Sequence, residues 1–208
     1  GNHGFIDKTG KEIIPLNYSY ADSFSENLAG VGLCENDECK EGFINKKGAM
    51  VIPANYDSAG NFSEGLAAVR VGDKDKGKWG YIDNRGNFTI PLTYDEAGPF
   101  SEGLAYVRVG DKENGKYGYI NKKGQFEIPE KFTGANDFSY GFAEVFINDE
   151  ASIFDGKGEI LFPFIFRSIR PLPNYCFLFD APESLRFATA FAQTLRTGAG
   201  TPALGHRV

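Results

Sequence analysis

The side chains best suited to moving a proton recur at one place in the chain. Asp7, Asn45, Asp83, Asn121 and Asp155 occupy the same slot of a repeated phrase. A general acid or base cannot be exchanged for the non-titrating asparagine and keep its role. A side chain that accepts backbone hydrogen bonds in a turn can be exchanged in this way. Asp and Asn alternate from copy to copy, which points to turn capping. Glu26, Glu64 and Glu102 also recur, with Tyr140 in the fourth slot, and a capping role in the Ser-Glu-Gly turn is expected for them. His3 and His206 are the chain's 2 histidines, one at each end, too few and too far apart for a serine–histidine triad or a multi-histidine zinc site. Asp73-x-Asp75-x-Gly77 opens like a calcium loop, but Lys74, Lys76 and Lys78 interleave and the later acidic ligands are missing. The glycine runs at Gly72 and Gly110 lie between strand patterns and open no helix, so they are hairpin turns and not phosphate cradles. The expectation is a chain with no catalytic constellation, no metal set and no cofactor.

Two further groups could bind or cross-link. Trp79, Tyr117, Tyr81, Tyr119, Phe5 and Phe43 flank a recurring glycine, where rings could line carbohydrate or choline subsites. The phrase G-K-W-G-Y-I-D from Gly77 resembles the hairpin of choline-binding repeats. The alternative, favoured here, is that these rings pack between stacked units. Cys34 and Cys39 flank the loop E-N-D-E at positions held by Gly72 and Gly77 one copy later. Opposed residues across a hairpin lie within reach of a disulfide. The pair is expected to be bonded if the protein leaves the reducing cytosol. Cys176 is left over, in an expected last strand over 175–179.

The elements that position these residues follow from the repeat itself. Gly4, Gly42, Gly80 and Gly118 open G-F-I-D-K-T-G, G-F-I-N-K-K-G, G-Y-I-D-N-R-G and G-Y-I-N-K-K-G at a constant step of 38 residues. A worn fifth copy, S-I-F-D-G-K-G, starts at Ser152. A proline follows each last glycine: Pro15, Pro53, Pro91, Pro129 and Pro163. A second phrase reads F-S-E-N-L-A from Phe24, F-S-E-G-L-A from Phe62 and Phe100, and F-S-Y-G-F-A from Phe138. Asn27 replacing Gly65, Gly103 and Gly141 predicts positive φ at that slot. Three strands per copy are predicted, illustrated by the third. They are Lys78 to Asp83, Phe88 to Leu92 (ended by Pro91), and Leu104 to Val109 after an irregular connection from Tyr94 to Gly103. In the last strand Ala105, Val107 and Val109 are assigned to the core, with Leu104, Tyr106 and Arg108 opposite. A three-stranded unit cannot bury such a face alone, so neighbours must stack.

From Lys78 to Val109 the phrase K-W-G-Y-I-D-N-R-G-N-F-T-I-P-L-T-Y-D-E-A-G-P-F-S-E-G-L-A-Y-V-R-V resembles the bacterial WG repeat, also called the KWG repeat. The resemblance extends from Gly4 to about Phe179. It departs from the pattern at the tryptophan, where His3, Glu41, Trp79, Tyr117 and Ala151 stand. The family is not tied to one activity, and the resemblance implies a bacterial repeat protein.

The expected fold is all-β: tandem three-stranded β-meander repeats, about 4–41, 42–79, 80–117, 118–151 and 152–179, stacked as an open solenoid-like array. A five-bladed β-propeller is the alternative. Residues 180–208 form a tail, with a helix expected from Pro182 to Thr197 on the strength of its N-cap and apolar spacing. A net charge of −6, with lysines interleaved among acids, argues against nucleic acid. No apolar run reaches the roughly 18 residues of a membrane span. The opening inside a repeat, without Met, suggests a piece of a longer protein. The expected role is a module for protein–protein or cell-envelope interaction, in the envelope or secreted rather than cytoplasmic. A carbohydrate-binding module using the recurring aromatics is the alternative. The candidate surface comprises Arg70, Tyr106 and Arg108 with Trp79 and Tyr117, because the slots on that strand face vary between copies and Tyr and Arg favour interfaces.

Overall fold

The computed structural model describes residues 2–35, 38–148, 150–161, 168–173 and 176–180. The helix expected over 182–197, the tail and Pro163 lie outside them, as does the side chain of Cys176.

Two kinds of turn set the frame. In the first, the Oδ1 of Asp83 accepts the N–H groups of Arg85 and Asn87, and Gly86, at φ +85°, closes the turn onto the Asp83 carbonyl. Asn45, Asn121 and Asp155 make the same pair of bonds. Both backbone bonds go to one acceptor oxygen, which Asp and Asn supply alike. In the second, Ser101 and Leu104 exchange backbone hydrogen bonds across two residues that both have positive φ, Glu102 at 55° and Gly103 at 84°. This two-residue hairpin turn matches the twist of the flanking strands. The positive φ expected at Asn27, Gly65, Gly103 and Gly141 is present. Glu26, Glu64, Glu102 and Tyr140 share it, at roughly 1 kcal/mol each for an L side chain.

The strands between these turns are all antiparallel. The first sheet pairs β1 (His3–Ile6) with β2 (Glu12–Tyr18). The second runs β3 (Tyr20–Ala21), β4 (Leu28–Glu35), β5 (Glu38–Asn45), β6 (Met50–Tyr56). The third runs β7 (Ser58–Ala59), β8 (Leu66–Val71), β9 (Lys78–Asp83), β10 (Phe88–Tyr94), and the fourth β11 (Glu96–Ala97), β12 (Leu104–Val109), β13 (Lys116–Asn121), β14 (Phe126–Phe132). The fifth contains β15 (Gly134–Ala135), β16 (Phe142–Ile147) and β17 (Glu150–Asp155); β18 (Ser168–Leu172) and β19 (Cys176–Asp180) form the last hairpin. Each central sheet therefore has four strands, not three. The extra strand is a two-residue segment inside the stretch read as irregular. A sheet also straddles the phrase boundary, taking its first two strands from one copy and the next two from the following copy.

Proline does not end the second strand of the copy. β10 continues through Pro91 to Tyr94, with a register shift between the pairs Ile90–Tyr81 and Tyr94–Trp79. The strand is at the sheet edge, where a missing N–H is tolerated, and the bulge absorbs the proline. That bulge lies against Gly80: a Cβ there would meet the Ile90 carbonyl oxygen at 2.6 Å.

Both faces of each central sheet are covered. Ala29, Val31 and Ile44 of the second sheet pack on Ile14 and Tyr18 of the first. Its Phe43, Ile52 and Tyr56 pack on Phe62, Ala67, Val69 and Ile82 of the third. The pattern repeats for the next two interfaces. Ring pairs recur at each interface: Phe43–Phe62 and Tyr81–Phe100 at 4.8 Å, Tyr119–Phe138 at 5.0 Å. A fully buried ring of this kind contributes about 1.5–3 kcal/mol. Val109, assigned to the core, is the last residue of β12 beside the hairpin and is exposed, as are Val71 and Leu33. The sheets contact their sequence neighbours and the array does not close, so it is an open solenoid-like stack.

A ladder of side chains joins the turns of successive sheets. Ser25, Ser63 and Ser101 donate their hydroxyls to the carbonyls of Phe62, Phe100 and Phe138 at 2.6–2.7 Å. Glu26, Glu64 and Glu102 accept the N–H groups of Gly65, Gly103 and Gly141. The glutamate thus caps the next repeat's turn and not its own. Glu64 also binds Lys122 at 3.0 Å. Burial alone raises the Glu64 carboxyl, but the bonds from Lys122 and Gly103 outweigh it, and its pKa lies below the usual 4.5. Its contribution is present above that pH and lost as the pH falls through the folded value.

Gly103→Ala meets nothing within 4 Å and should cost about 1 kcal/mol through φ alone, whereas Gly80→Ala, driven into backbone, should cost about 3 kcal/mol; Asn27→Gly should be neutral or slightly stabilising. Urea unfolding of the variants measures this, and equal costs at Gly80 and Gly103 would contradict the close approach. Acidification below about 4.5 should lower the Tm, and Glu64→Gln should reduce that dependence relative to the parent chain. A pH–Tm profile unchanged by the substitution would remove Glu64 from the ladder's energetics.

Candidate functional site

Strand register places three side chains from adjacent strands in a row across each sheet, next to the hairpin that links the two long strands. In the second sheet the row is Tyr20–Gly32–Glu41, in the third Ser58–Arg70–Trp79, in the fourth Glu96–Arg108–Tyr117, and in the fifth Gly134–Phe146–Ala151. Directly opposed side chains on one sheet face are close enough to interact. These slots carry a different chemistry in every copy while the core positions around them hold their apolar character.

The fourth row is a closed network. Arg108 Nε donates to Glu96 Oε2 at 3.2 Å, Tyr117 donates its hydroxyl to the same oxygen at 2.8 Å, and Arg108 Nη1 donates to the Gly110 carbonyl at 2.8 Å. The guanidinium carbon lies 6.0 Å from the Tyr117 ring centre. Burial, then the Glu96 carboxylate, pushes the Tyr117 phenol up to about 12. In the third row Arg70 lies 5.8 Å from the centre of Trp79, a contact worth about 0.5–1 kcal/mol at a partly exposed site. In the second row Glu41 accepts the Ala59 N–H at 2.5 Å, and burial raises its pKa.

The adjoining hairpins are braced. Asp57 receives Lys40 at 2.6 Å on one oxygen and the Gly72 N–H at 2.9 Å on the other; Asp95 does the same with Lys78 and Gly110. Each brace ties the hairpin of one sheet to the sheet before it. Within the hairpins, Asp73 and Asp111 accept two N–H groups each and cap their turns. Among the described residues no group of three or more His, Cys, Asp or Glu side chains could hold a metal ion.

The five residues of the expected surface thus divide. Arg70, Trp79, Arg108 and Tyr117 belong to two equivalent rows and are half-buried, Trp79 and Tyr117 each with part of the ring packed on a core cluster. Tyr106 lies one slot inward and packs against the next sheet's core. Its ring covers Gly98, where a Cβ would come within 2.3 Å. The variation at Tyr106 is matched on the adjoining strand of the same sheet: Ala68 faces Gly60, Gly30 faces Asp22, and Glu144 accepts Asn136 Nδ2 at 2.7 Å. The spread at that slot is therefore paired packing. Phe43, Tyr81 and Tyr119 are fully buried, and the two tyrosines donate their hydroxyls to the Gly98 and Asn136 carbonyls. They present no ring to a ligand. A signal for the rows was available in the sequence, since the variable slots two apart in β8 and β12 face equivalent slots in β9 and β13, but register was needed to join them.

A shallow hollow of about 390 Å³ beside the turns of the last two full repeats contains Glu102 and Glu127, yet Glu102 is held by the Gly141 N–H and Glu127 by Asn121 at 2.6 Å. No helix among the described residues is long and apolar enough to cross a membrane.

Comparison with known families matches four copies of a WG containing repeat, over residues 4–33, 42–74, 79–112 and 117–150. No curated protein matches the chain.

Cys34 and Cys39 form a disulfide across the exposed end of the second sheet's hairpin, at directly paired positions with Cα atoms 3.9 Å apart. Alkylation of the unfolded, unreduced protein followed by mass spectrometry should leave both unlabelled until reductant is added. Labelling of both beforehand would contradict the bond.

Proposed function

Since the chain belongs to the WG containing repeat family, with its unit recurring four times along the stack, we propose that it is a non-catalytic interaction module engaging a protein or a cell-envelope polymer. The observation that carries this reading is the set of cross-strand rows. The stack repeats its core and its turn ladder from copy to copy, yet the rows beside the braced hairpins differ in charge, size and aromaticity. Tyr20, Arg70, Trp79, Arg108 and Tyr117 are the row residues of the types enriched at interface hot spots. A non-catalytic role is supported by the recurring aspartates. Hydrogen bonds from Thr9 and Lys11 hold Asp7 below the usual carboxylate range, and those from Asn87, Asp83, the opposite of the adjustment a general acid needs. The Cys34–Cys39 bond fits a protein exposed to an oxidising compartment, and the net charge of −6 disfavours nucleic acid as the partner.

A carbohydrate-binding role rests on Trp79 and Tyr117, whose rings are partly accessible and lie in equivalent rows one repeat apart.

The test is a pull-down from the source cell's envelope fraction in parallel with a glycan array, using the full chain and an Arg70→Gln/Arg108→Gln double variant whose circular dichroism matches the parent. Proteins retained by the parent should be released by the variant, a weakening of about 1–2 kcal/mol for interface arginines. Equal retention would move the working surface elsewhere, and glycan binding without any retained protein would favour the carbohydrate reading.

A further inference from the structure

The third and fourth rows share register, a guanidinium and an aromatic ring, Trp79 in one and Tyr117 in the other, and differ in charge at the remaining position. In the fourth, the Glu96 carboxylate satisfies Arg108 Nε and the Tyr117 hydroxyl. In the third, Ser58 stands where Glu96 would, shorter and uncharged. The result is visible on the arginine. Among the described residues Arg70 Nε, which is buried, has no hydrogen-bond partner, and the guanidinium makes one hydrogen bond, from Nη2 to the Asp57 carbonyl at 3.4 Å. A buried donor left unmatched is costly, most of all on a charged group. Two carboxylates lie close enough for their charges to reach Arg70, and both are engaged elsewhere: Asp57 with Lys40 and Gly72, Glu41 with the Ala59 N–H. Neither fills the Nε position.

We propose that the Ser58–Arg70–Trp79 notch is a binding site for a glutamate or aspartate side chain of a partner protein, which takes the place that Glu96 holds one repeat later. The incoming carboxylate accepts Arg70 Nε–H, as Glu96 accepts Arg108 Nε–H. The Ser58 hydroxyl and the Trp79 indole N–H are the further donors of the row. The fourth row is then the same site occupied from within, whereas the third leaves its Nε donor unmatched. A carboxylate suits it better than a phosphate backbone because a single guanidinium, flanked by the acids Asp57 and Glu41, offers a local donor without a basic stripe. This assignment rests on the reading of the rows as an interaction surface and names the chemistry of one of them.

Trp79 is the chain's 1 tryptophan, so its fluorescence reports on this notch alone. Titration of the full chain with an acetylated tetraglutamate amide should change the emission saturably, and the tetraglutamine counterpart should not. Arg70→Met should weaken the response at least tenfold. Ser58→Glu, which supplies the carboxylate internally, should abolish the response and raise the Tm. Absence of a saturable response in the parent, or a Ser58→Glu protein that binds tetraglutamate as well as the parent does, overturns the site. A response to polygalacturonate with none to tetraglutamate overturns its assignment to a protein side chain. Failure of the notch leaves the wider reading standing if the Arg70→Gln/Arg108→Gln variant still releases the captured protein; if that variant retains it, the wider reading fails.

Discussion

Every central sheet in this molecule carries apolar side chains on both faces, and that obligation organises the rest. A strand such as β8, buried from Leu66 through Val69, cannot be satisfied by one neighbour. It needs a sheet before it and a sheet after it, and the same is true of each of those. Stacking is therefore the condition under which any unit is folded at all. The serine–glutamate ladder adds direction to it. Each turn accepts a left-handed glutamate because the carboxylate reaches the next turn's N–H, so a local backbone cost is offset across the interface. Tyr140 holds the glutamate slot in the fourth turn, and no fifth copy of the phrase follows it in the sequence for a carboxylate to cap.

Where both faces are covered, little surface is free to differ. The slots that change chemistry while keeping part of their surface accessible are those beside the hairpins. There the braces from Asp57 and Asp95 fix the hairpins, and register lines up three residues from three strands. The recognition chemistry argued for Arg70 is thus a by-product of geometry: the row is where a side chain can vary without unseating the stack.

Much of this was legible in the residues, and the failures have physical causes. The borders of β9 and β12, the Asp/Asn turns and the left-handed slot at Gly103 follow from local chemistry that needs no neighbour. The two-residue strands do not. Glu96–Ala97 and Gly134–Ala135 have no strand propensity, and only pairing with β12 and β16 makes them strands. Pro91 stops a strand in a sheet centre but not at an edge with a bulge. Variation at Gly30, Ala68, Tyr106 and Glu144 looks like functional divergence until their partners Asp22, Gly60, Gly98 and Asn136 are seen to vary with them. The rows, in turn, depend on residues that are distant in sequence and joined only by register.

The stack is open, and each of its interfaces is built from the same slots offset by one unit. A ring must keep its number of blades, since losing one breaks the closing contact. A line has no such arithmetic. Duplication or loss of one 38-residue stretch of coding sequence would leave every interface built from the same slots, provided the boundary falls at the same place in the phrase. Array length is then a trait that recombination can adjust freely, and the row chemistries travel with their units as an alphabet that can be reordered without redesigning the fold.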